Sequence, residues 1–309
     1  MRLRAPQPGP PVACYREFAP RQDLGEYVRA FFTFGPPAVA GGSATRRLTR
    51  QILFGGGDTF VAPSFADANP SLVVHFGLRC GADGVWTQAD PPHANLLGPM
   101  TAVGAPPPQG HAVMVGVYFQ PARALPFLGL PLRELTDRNL PLETLWASDG
   151  ADLPAAMDAM SEAARIDRLE SELVRRLGRG PTPITRIDVP GLAAWARWSR
   201  GRVSVDRLAE SAGVSRQRLS RVFHELVGVS PKLYCRLARF HSALGFAAAG
   251  ERVTWAGVAA ALGYADQSHM IAEFREFSSL TPQQIVSARV FHPFIFNSVA
   301  GRSWRGERR

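Results

Sequence analysis

The C-terminal third of the chain contains an internal repeat, and this repeat constrains the fold more than any other feature. Each copy begins with an apolar residue followed by alanine and continues with a glycine. Two apolar residues four positions apart come next, and a hydroxyl residue followed by proline ends the copy. The residues are Leu208-Ala209, Gly213, Leu219, Phe223 and Ser230-Pro231, then Val258-Ala259, Gly263, Met270, Phe274 and Thr281-Pro282. The small residue lets two helices approach closely, and glycine tolerates backbone conformations that a Cβ would penalise. Each copy therefore predicts a helix-turn-helix unit, with a slightly longer turn in the second.

Apolar periodicity and capping residues predict seven helices in this region. Ser204 and Ser215 stand at N-cap positions, and Pro231 and Pro282 follow hydroxyl residues at the first helical position. The predicted helices cover 191–199, 204–211, 215–226, 231–248, 255–262, 267–277 and 282–289. The long fourth helix would join the two units.

The first 120 residues differ in character, because short β-prone runs alternate there with Gly, Pro and Asp clusters. Segments 71–76 and 111–119 are examples, and their spacing predicts an antiparallel sandwich or barrel. We expect 132–145 to be irregular and 152–177 to form one helix, and we expect the Gly/Pro-rich segment 178–183 to end that helix.

The prediction is an α+β chain with two domains. A β-rich sensor or dimerisation domain with a helical C-terminal part occupies 1–180, and a linker spans 181–190. A tandem helix-turn-helix domain with a linker helix occupies 191–289, and a basic, loosely ordered tail covers 290–309.

Charge is distributed unevenly between the two halves. The chain has 309 residues and a net charge of +9; residues 1–190 hold 18 basic and 18 acidic groups, and residues 191–309 hold 17 and 8. The whole excess lies in this C-terminal part, the helical domain with its tail, which indicates a polyanion as the partner.

The predicted recognition helices present polar faces suited to double-stranded promoter DNA. Arginine can bond guanine bidentately, glutamine can pair with adenine, and serine can serve either. The predicted base contacts are Arg216, Gln217, Ser220, Arg221, Gln267, Ser268, His269 and Ala272, and the predicted phosphate contacts are Ser215, Arg218, Lys232, Arg236 and Arg275. Because Ala272 stands where the first unit has Arg221, we expect the first unit to dominate base readout. The second would contribute mostly phosphate contacts and groove shape.

Over about residues 190–289 the sequence resembles the AraC/XylS family of bacterial regulators. The resemblance rests on Leu208-Ala209, Gly213-Val214-Ser215, Leu219-Ser220-Arg221-Val222-Phe223, Gly228-Val229-Ser230-Pro231, Val258-Ala259, Leu262-Gly263-Tyr264, Asp266-Gln267-Ser268, Phe274, Phe277 and Thr281-Pro282. It implies two recognition helices entering successive major grooves, roughly 34 Å apart. The implied base-contacting positions are Gln217, Ser220, Arg221, Gln267, Ser268 and Ala272. The sequence departs from the family pattern at two positions: Ser279 stands where the family has glycine, and Ile285 stands where it usually has an aromatic residue.

The N-terminal region is more weakly similar to an uncharacterised β-rich domain of some family members. The similarity lies in Tyr15-Arg16-Glu17-Phe18, Leu72-Val73-Val74, Gly116-Val117-Tyr118-Phe119-Gln120-Pro121, Leu128-Gly129 and Leu135-Thr136-Asp137. It implies a domain that senses a small-molecule effector or forms a homodimer, and RNA polymerase would be a further partner of an activator. Such an analogy does not identify a ligand.

The alternative hypothesis is an enzyme or small-molecule-binding protein with an accessory DNA-binding domain. His75, His93 and His111 could meet in a barrel, but no carboxylate or cysteine stands at a supporting metal-ligand spacing. Cys14 and Cys80 have no adjacent His or basic cluster in the sequence that would indicate a lowered thiol pKa. We therefore expect no catalytic residue, metal or cofactor. The absence of a long apolar run, the odd number of scattered cysteines and the proline-broken start predict a cytoplasmic protein without membrane contact.

Overall fold

The computed structural model describes residues 11–35, 48–55, 65–80, 86–88, 91–103, 113–248 and 254–287. The predicted tail and His111 lie outside these residues. The strands of the N-terminal region are β1 (Pro11–Phe18), β2 (Val28–Gly35), β3 (Leu48–Gly55), β4 (Ser71–His75), β5 (Leu78–Cys80), β6 (Trp86–Gln88), β7 (His93–Leu97), β8 (Met114–Phe119) and β9 (Asn139–Pro141). The prediction of a β-rich N-terminal domain is confirmed.

Seven of these strands form one antiparallel sheet in the order β3-β1-β2-β8-β4-β7-β9, and β5 pairs with β6. Side chains alternate between its two faces with the period of two that strands impose. Phe31 and Val117 point to the helix-covered face, whereas Phe32 and Tyr118 point to the other, where their rings stack 4.4 Å apart. The sheet is therefore buried on both faces in its centre.

Four helices cover one face of the sheet: α1 (Leu125–Leu128), α2 (Glu143–Trp146), α3 (Ser148–Met157) and α4 (Glu162–Arg176). The prediction of one helix over 152–177 is wrong. The helix α3 ends at Met157, and α4 is a separate helix with the Ser161 side chain as its N-cap. The expectation of irregular structure over 132–145 is also wrong in part. A 3₁₀ turn at Leu132–Glu134, β9 and the start of α2 occupy that stretch.

The C-terminal region contains seven helices among the described residues. They are α5 (Val189–Trp198), α6 (Val205–Ser211), α7 (Arg216–Val227), α8 (Pro231–Ala248), α9 (Trp255–Leu262), α10 (Gln267–Ser278) and α11 (Pro282–Ser287). At 1.5 Å per residue, the 18 residues of α8 span about 27 Å. Apolar residues of α5 to α11 share one core with α8 at its centre, since α8 contacts α5, α7, α9, α10 and α11.

A loop of the N-terminal region inserts into this helical core. Phe65, Ala66 and Ala68 are buried in the same cluster, and the Phe65 ring lies edge-on to Phe240 of α8 at 6.1 Å. The amide of Ala66 donates to the carbonyl of Phe277 at 3.0 Å, and its carbonyl accepts from His241 Nε2 at 2.9 Å. The N-terminal region thus completes the core of the helical domain.

Candidate nucleic-acid interface

The first unit consists of α6, a short turn and α7. Gly213 adopts φ +64°, a left-handed conformation that favours glycine, and the amide of Val214 donates to the carbonyl of Ala209 at 3.0 Å. Ser215 then caps α7, because its Oγ accepts from the amide of Arg218 at 3.2 Å. The buried side of α7 consists of Leu219, Val222, Phe223, Leu226 and Val227.

The second unit repeats this geometry with different residues. Gly263 adopts φ +73°, and the amide of Tyr264 donates to the carbonyl of Ala259 at 2.9 Å. Asp266 caps α10 by accepting from the amide of His269 at 2.7 Å. Two residues separate Gly263 from its cap, against one in the first unit. The prediction of a longer second turn is confirmed.

Both polar helix faces are open to solvent in the described structure. The exposed side chains are Arg216, Gln217, Arg218 and Arg221 on α7, and Gln267, Ser268, His269, Ala272 and Arg275 on α10. Ser215 and Lys232 are also exposed, and Ser220 is half-buried. The N-terminal region contacts α7 at its C-terminal end, where Thr136 Oγ1 donates to the carbonyl of Gly228 at 2.7 Å and Arg133 pairs with Glu225. That contact leaves the N-terminal half of α7 accessible.

The exposed cations differ in their availability for a ligand. Arg218, Arg221, Lys232 and Arg275 form no ion pair with any carboxylate that the structure describes, whereas Arg216 pairs with Asp206 of α6. A cation without an intramolecular partner loses no existing ion pair when it binds phosphate or a base edge.

Arg236 has a different position from the one that the sequence suggested. Its Nε donates to Glu273 at 2.8 Å and an Nη donates to Glu276 at 2.5 Å, which joins α8 to α10. Its guanidinium also lies 4.8 Å from the centre of the Phe277 ring. These donors are used inside the domain, so we leave Arg236 out of the proposed phosphate contacts.

His269 is partly engaged as well. Its Nδ1 accepts from the amide of Ala265 at 3.4 Å, and its Nε2 lies 3.8 Å from Glu273 Oε1. Its ring stands edge-on to Tyr264 at 5.5 Å between centroids. These contacts orient the imidazole and leave it accessible at the surface.

The described residues offer little to a catalytic or metal-dependent activity. His75 and His93 pair across β4 and β7 with ring centroids 4.8 Å apart, and no group of three His, Cys, Asp or Glu side chains is placed to hold a metal ion in the described parts. Cys14 is buried, and burial raises the pKa of the Cys235 thiol to about 11, the opposite of thiol activation. The side chain of Cys80 lies outside the described residues. No described helix has the length and apolarity needed to span a bilayer.

Two family models match the chain. A helix-turn-helix domain matches residues 208–288, and a domain of unknown function, DUF6597, matches residues 16–141. No curated protein matches the chain.

Among solved structures, the C-terminal domain of AraT, a response regulator from Geobacillus stearothermophilus, is 20% identical. That match covers 36% of this chain and 93% of the solved AraT domain, with a TM-score of 0.30. ToxT from Vibrio cholerae is 12% identical over 74% of this chain and 92% of its own, with a TM-score of 0.40. A ToxT structure bound to (E)-4-(8-methylnaphthalen-1-yl)but-3-enoic acid is 10% identical over 74% and 93%, with a TM-score of 0.42.

The matched domain coincides with two helix-turn-helix units, one on each side of a linker helix, and both polar faces are exposed. The chain therefore carries a helix-turn-helix domain of the AraC type in its C-terminal region and a DUF6597 domain in its N-terminal region.

Proposed function

We propose that α7 and α10 enter successive major grooves of promoter DNA and that α7 carries most of the base readout. The observation that carries this proposal is that Arg218 and Arg221 are exposed beside the exposed Gln217 and form no ion pair with a carboxylate among the described residues. The length of α8, about 27 Å, is compatible with two recognition helices one DNA turn apart.

The proposed base contacts are Gln217, Ser220 and Arg221 on α7 and Gln267, Ser268 and Ala272 on α10, with Arg216 and His269 at their edges. Ser215, Arg218, Lys232 and Arg275 are the proposed phosphate contacts. Ala272 offers only a methyl group, which suits contact with a thymine methyl and carries no charge.

Selection of bound sequences from random duplexes with the full chain, followed by affinity measurements on the selected site, tests this proposal. Arg221→Ala should weaken the selected site by about 1–3 kcal/mol and relax the preference at one base pair. Arg275→Ala should weaken all duplexes alike, because phosphate contacts carry no sequence information. An unchanged preference in the Arg221 variant would remove it from the set of base readers.

We propose that the N-terminal domain controls DNA binding, through an effector, through homodimerisation, or both. Its contacts with both units support this proposal, since Thr136 touches the end of α7 and Ala66 touches α8 and α10. Light scattering on the full chain tests dimerisation. A monomer at the concentrations that saturate the selected DNA would exclude the dimer and leave effector sensing. RNA polymerase remains a predicted partner if the chain is an activator.

A further inference from the structure

The linker between the domains passes beside the N-terminal end of α7 and forms a groove there. The groove has a volume of about 450 Å³. Its lining comes from the linker and from the first helix-turn-helix unit: Ile184, Thr185, Arg186, Ile187, Val214 and Arg218.

The linker is fixed where it forms this groove. Ile187 packs on the helical core, as does Val214 of the turn before α7, and the adjoining Val189 is fully buried. Thr185 Oγ1 accepts from the amide of Ile187 at 3.1 Å, which closes a local turn. Arg186 therefore has a backbone position set by the DNA-binding domain.

Two like charges line this groove without an acidic neighbour that neutralises them. Arg186 and Arg218 are both exposed, and neither forms an ion pair with a carboxylate in the described ranges. Asp188 follows Arg186 closely, but its Oδ1 accepts from the amide of Gly191 at 3.0 Å and caps α5. Both side chains line one groove and carry like charges, so an oxyanion bound in the groove would be attracted by both.

We propose that Arg186 binds a DNA phosphate next to the one bound by Arg218, so that the linker belongs to the DNA-binding surface. This proposal rests on the proposed function, because α7 must lie in the major groove for Arg218 to reach the backbone. The occupant is the phosphodiester strand of the duplex that α7 reads. Arg186 belongs to the linker and not to α7, and it lines a groove beside the N-terminal end of that helix, which suits a backbone contact rather than a base contact.

The test compares Arg186 of the linker with Arg179, which lies just before the linker, in the full chain. Arg179 is exposed, forms no described ion pair and does not line the groove, so Arg179→Gln is the matched control for Arg186→Gln. Dissociation constants are measured for the selected site and for a random duplex at several salt concentrations, and thermal unfolding verifies that both variants fold.

Arg186→Gln should weaken both duplexes by the same factor, about 3- to 10-fold, and reduce the slope of log K against log salt by about 0.9, the value for one phosphate contact. Arg179→Gln should match the wild type. Equal affinities and slopes for the two variants would overturn the proposal, as would a loss confined to one base pair. A wild-type chain that binds no duplex in a salt-dependent manner would overturn the proposed function itself, whatever the variants show.

Discussion

The α7 helix presents three exposed arginines to solvent, whereas α10 presents one, Arg275, beside the methyl group of Ala272. The ends of the two helices differ as well. At the end of α7, Gly228 adopts φ +85° and touches the N-terminal domain, while at the equivalent end of α10 a serine, Ser279, adopts φ +58°. The two units therefore share a backbone plan, but the first exposes more cationic side chains on its second helix and contacts the N-terminal domain at the end of that helix.

The second unit is attached in another way. Arg236 joins α8 to Glu273 and Glu276 of α10, and the loop around Ala66 bonds to Phe277. A backbone hydrogen bond from the Ala66 loop and an ion pair with α8 therefore hold the second unit, whereas the Thr136 hydroxyl and the Arg133–Glu225 ion pair hold the end of the first. The predictions below test this difference, from the largest expected effect to the smallest.

The largest change in the free energy of unfolding should come from substitutions at Gly228 and Ser279, the residues that end α7 and α10. A Cβ on Gly228 would lie 2.7 Å from Pro99 Cγ and 2.9 Å from Thr136 Oγ1, in addition to the left-handed backbone. Gly228→Ala should lower the free energy of unfolding by about 3 kcal/mol, the sum of conformational strain and overpacking. Ser279→Gly should raise it by about 1 kcal/mol by relieving the same strain. Urea unfolding measures both.

Gly213→Ala is the control for this exchange. Gly213 has φ +64°, but nothing lies within 4 Å of an added Cβ. This variant should lose only the conformational part, about 1–2 kcal/mol. If Gly228→Ala lowered the free energy of unfolding no more than Gly213→Ala does, the interdomain contact would be able to rearrange around an added Cβ. It would then not fix the end of α7.

The second prediction concerns the ion pair that holds α10. Glu273 is 3% exposed, and Arg236→Met would leave its carboxylate buried without its main counter-charge. Removing one partner of a buried pair costs about 3–5 kcal/mol; because Arg236 is itself partly solvated, we expect about 2 kcal/mol. Arg275 lies on α10 and forms no ion pair with a described carboxylate, so Arg275→Met should stay within about 0.5 kcal/mol of the wild type. Equal unfolding midpoints for the two variants would refute a holding role for Arg236.

The helix boundaries were predictable because caps are local signals. Ser204, Ser215 and Pro231 each stand within a turn of the helix start that they specify. The break before α4 carried a similar signal in Ser161, but continuous apolar spacing across 152–177 hid it. Local patterns of this kind fix elements and do not fix what packs against them.

The contacts between elements were not predictable from the sequence. Arg236 and Glu273 are 37 residues apart, and Ala66 and His241 are 175 apart, so no periodicity links them. The exposed polar residues of α7 and α10 followed from amphipathic spacing alone. The selection among them needed the structure, because it shows which arginines already have carboxylate partners.

The third prediction concerns a variant of α10 that carries an arginine at the position equivalent to Arg221. Ala272 is exposed at the position equivalent to Arg221, so Ala272→Arg should add a DNA contact. Binding should tighten by about tenfold, or about 1.4 kcal/mol, with a salt slope steeper by about 0.9. Ala159→Arg, on the exposed chain between α3 and α4, adds the same net charge far from both units and should leave the salt slope unchanged. Identical slopes in the two variants would mean that α10 does not approach the duplex.

The smallest effect should appear on lowering the pH. Burial lowers the pKa of His241, and Arg197 acts in the same direction, while Asp67 and the Ala66 carbonyl oppose the shift. The folded chain therefore binds fewer protons than the unfolded chain below the unfolded pKa of about 6.5. Stability should be constant above that pH and fall below it, by at most about 1.4 kcal/mol per pH unit. His241→Gln should remove this dependence between pH 7.5 and 5.5.

Hydrogen exchange shows where the change occurs. The amide of Ala66 bonds to Phe277 and lies beside the buried His241, whereas the amide of Gly228 bonds within α7 to the carbonyls of Phe223 and His224, and the His224 side chain is exposed. After correction for intrinsic rates, lower pH should open Ala66 before Gly228, because protonation strains only the contact with the second unit. Simultaneous opening of the two amides would mean that the N-terminal domain leaves both units as one body. The two attachments would then be one cooperative contact.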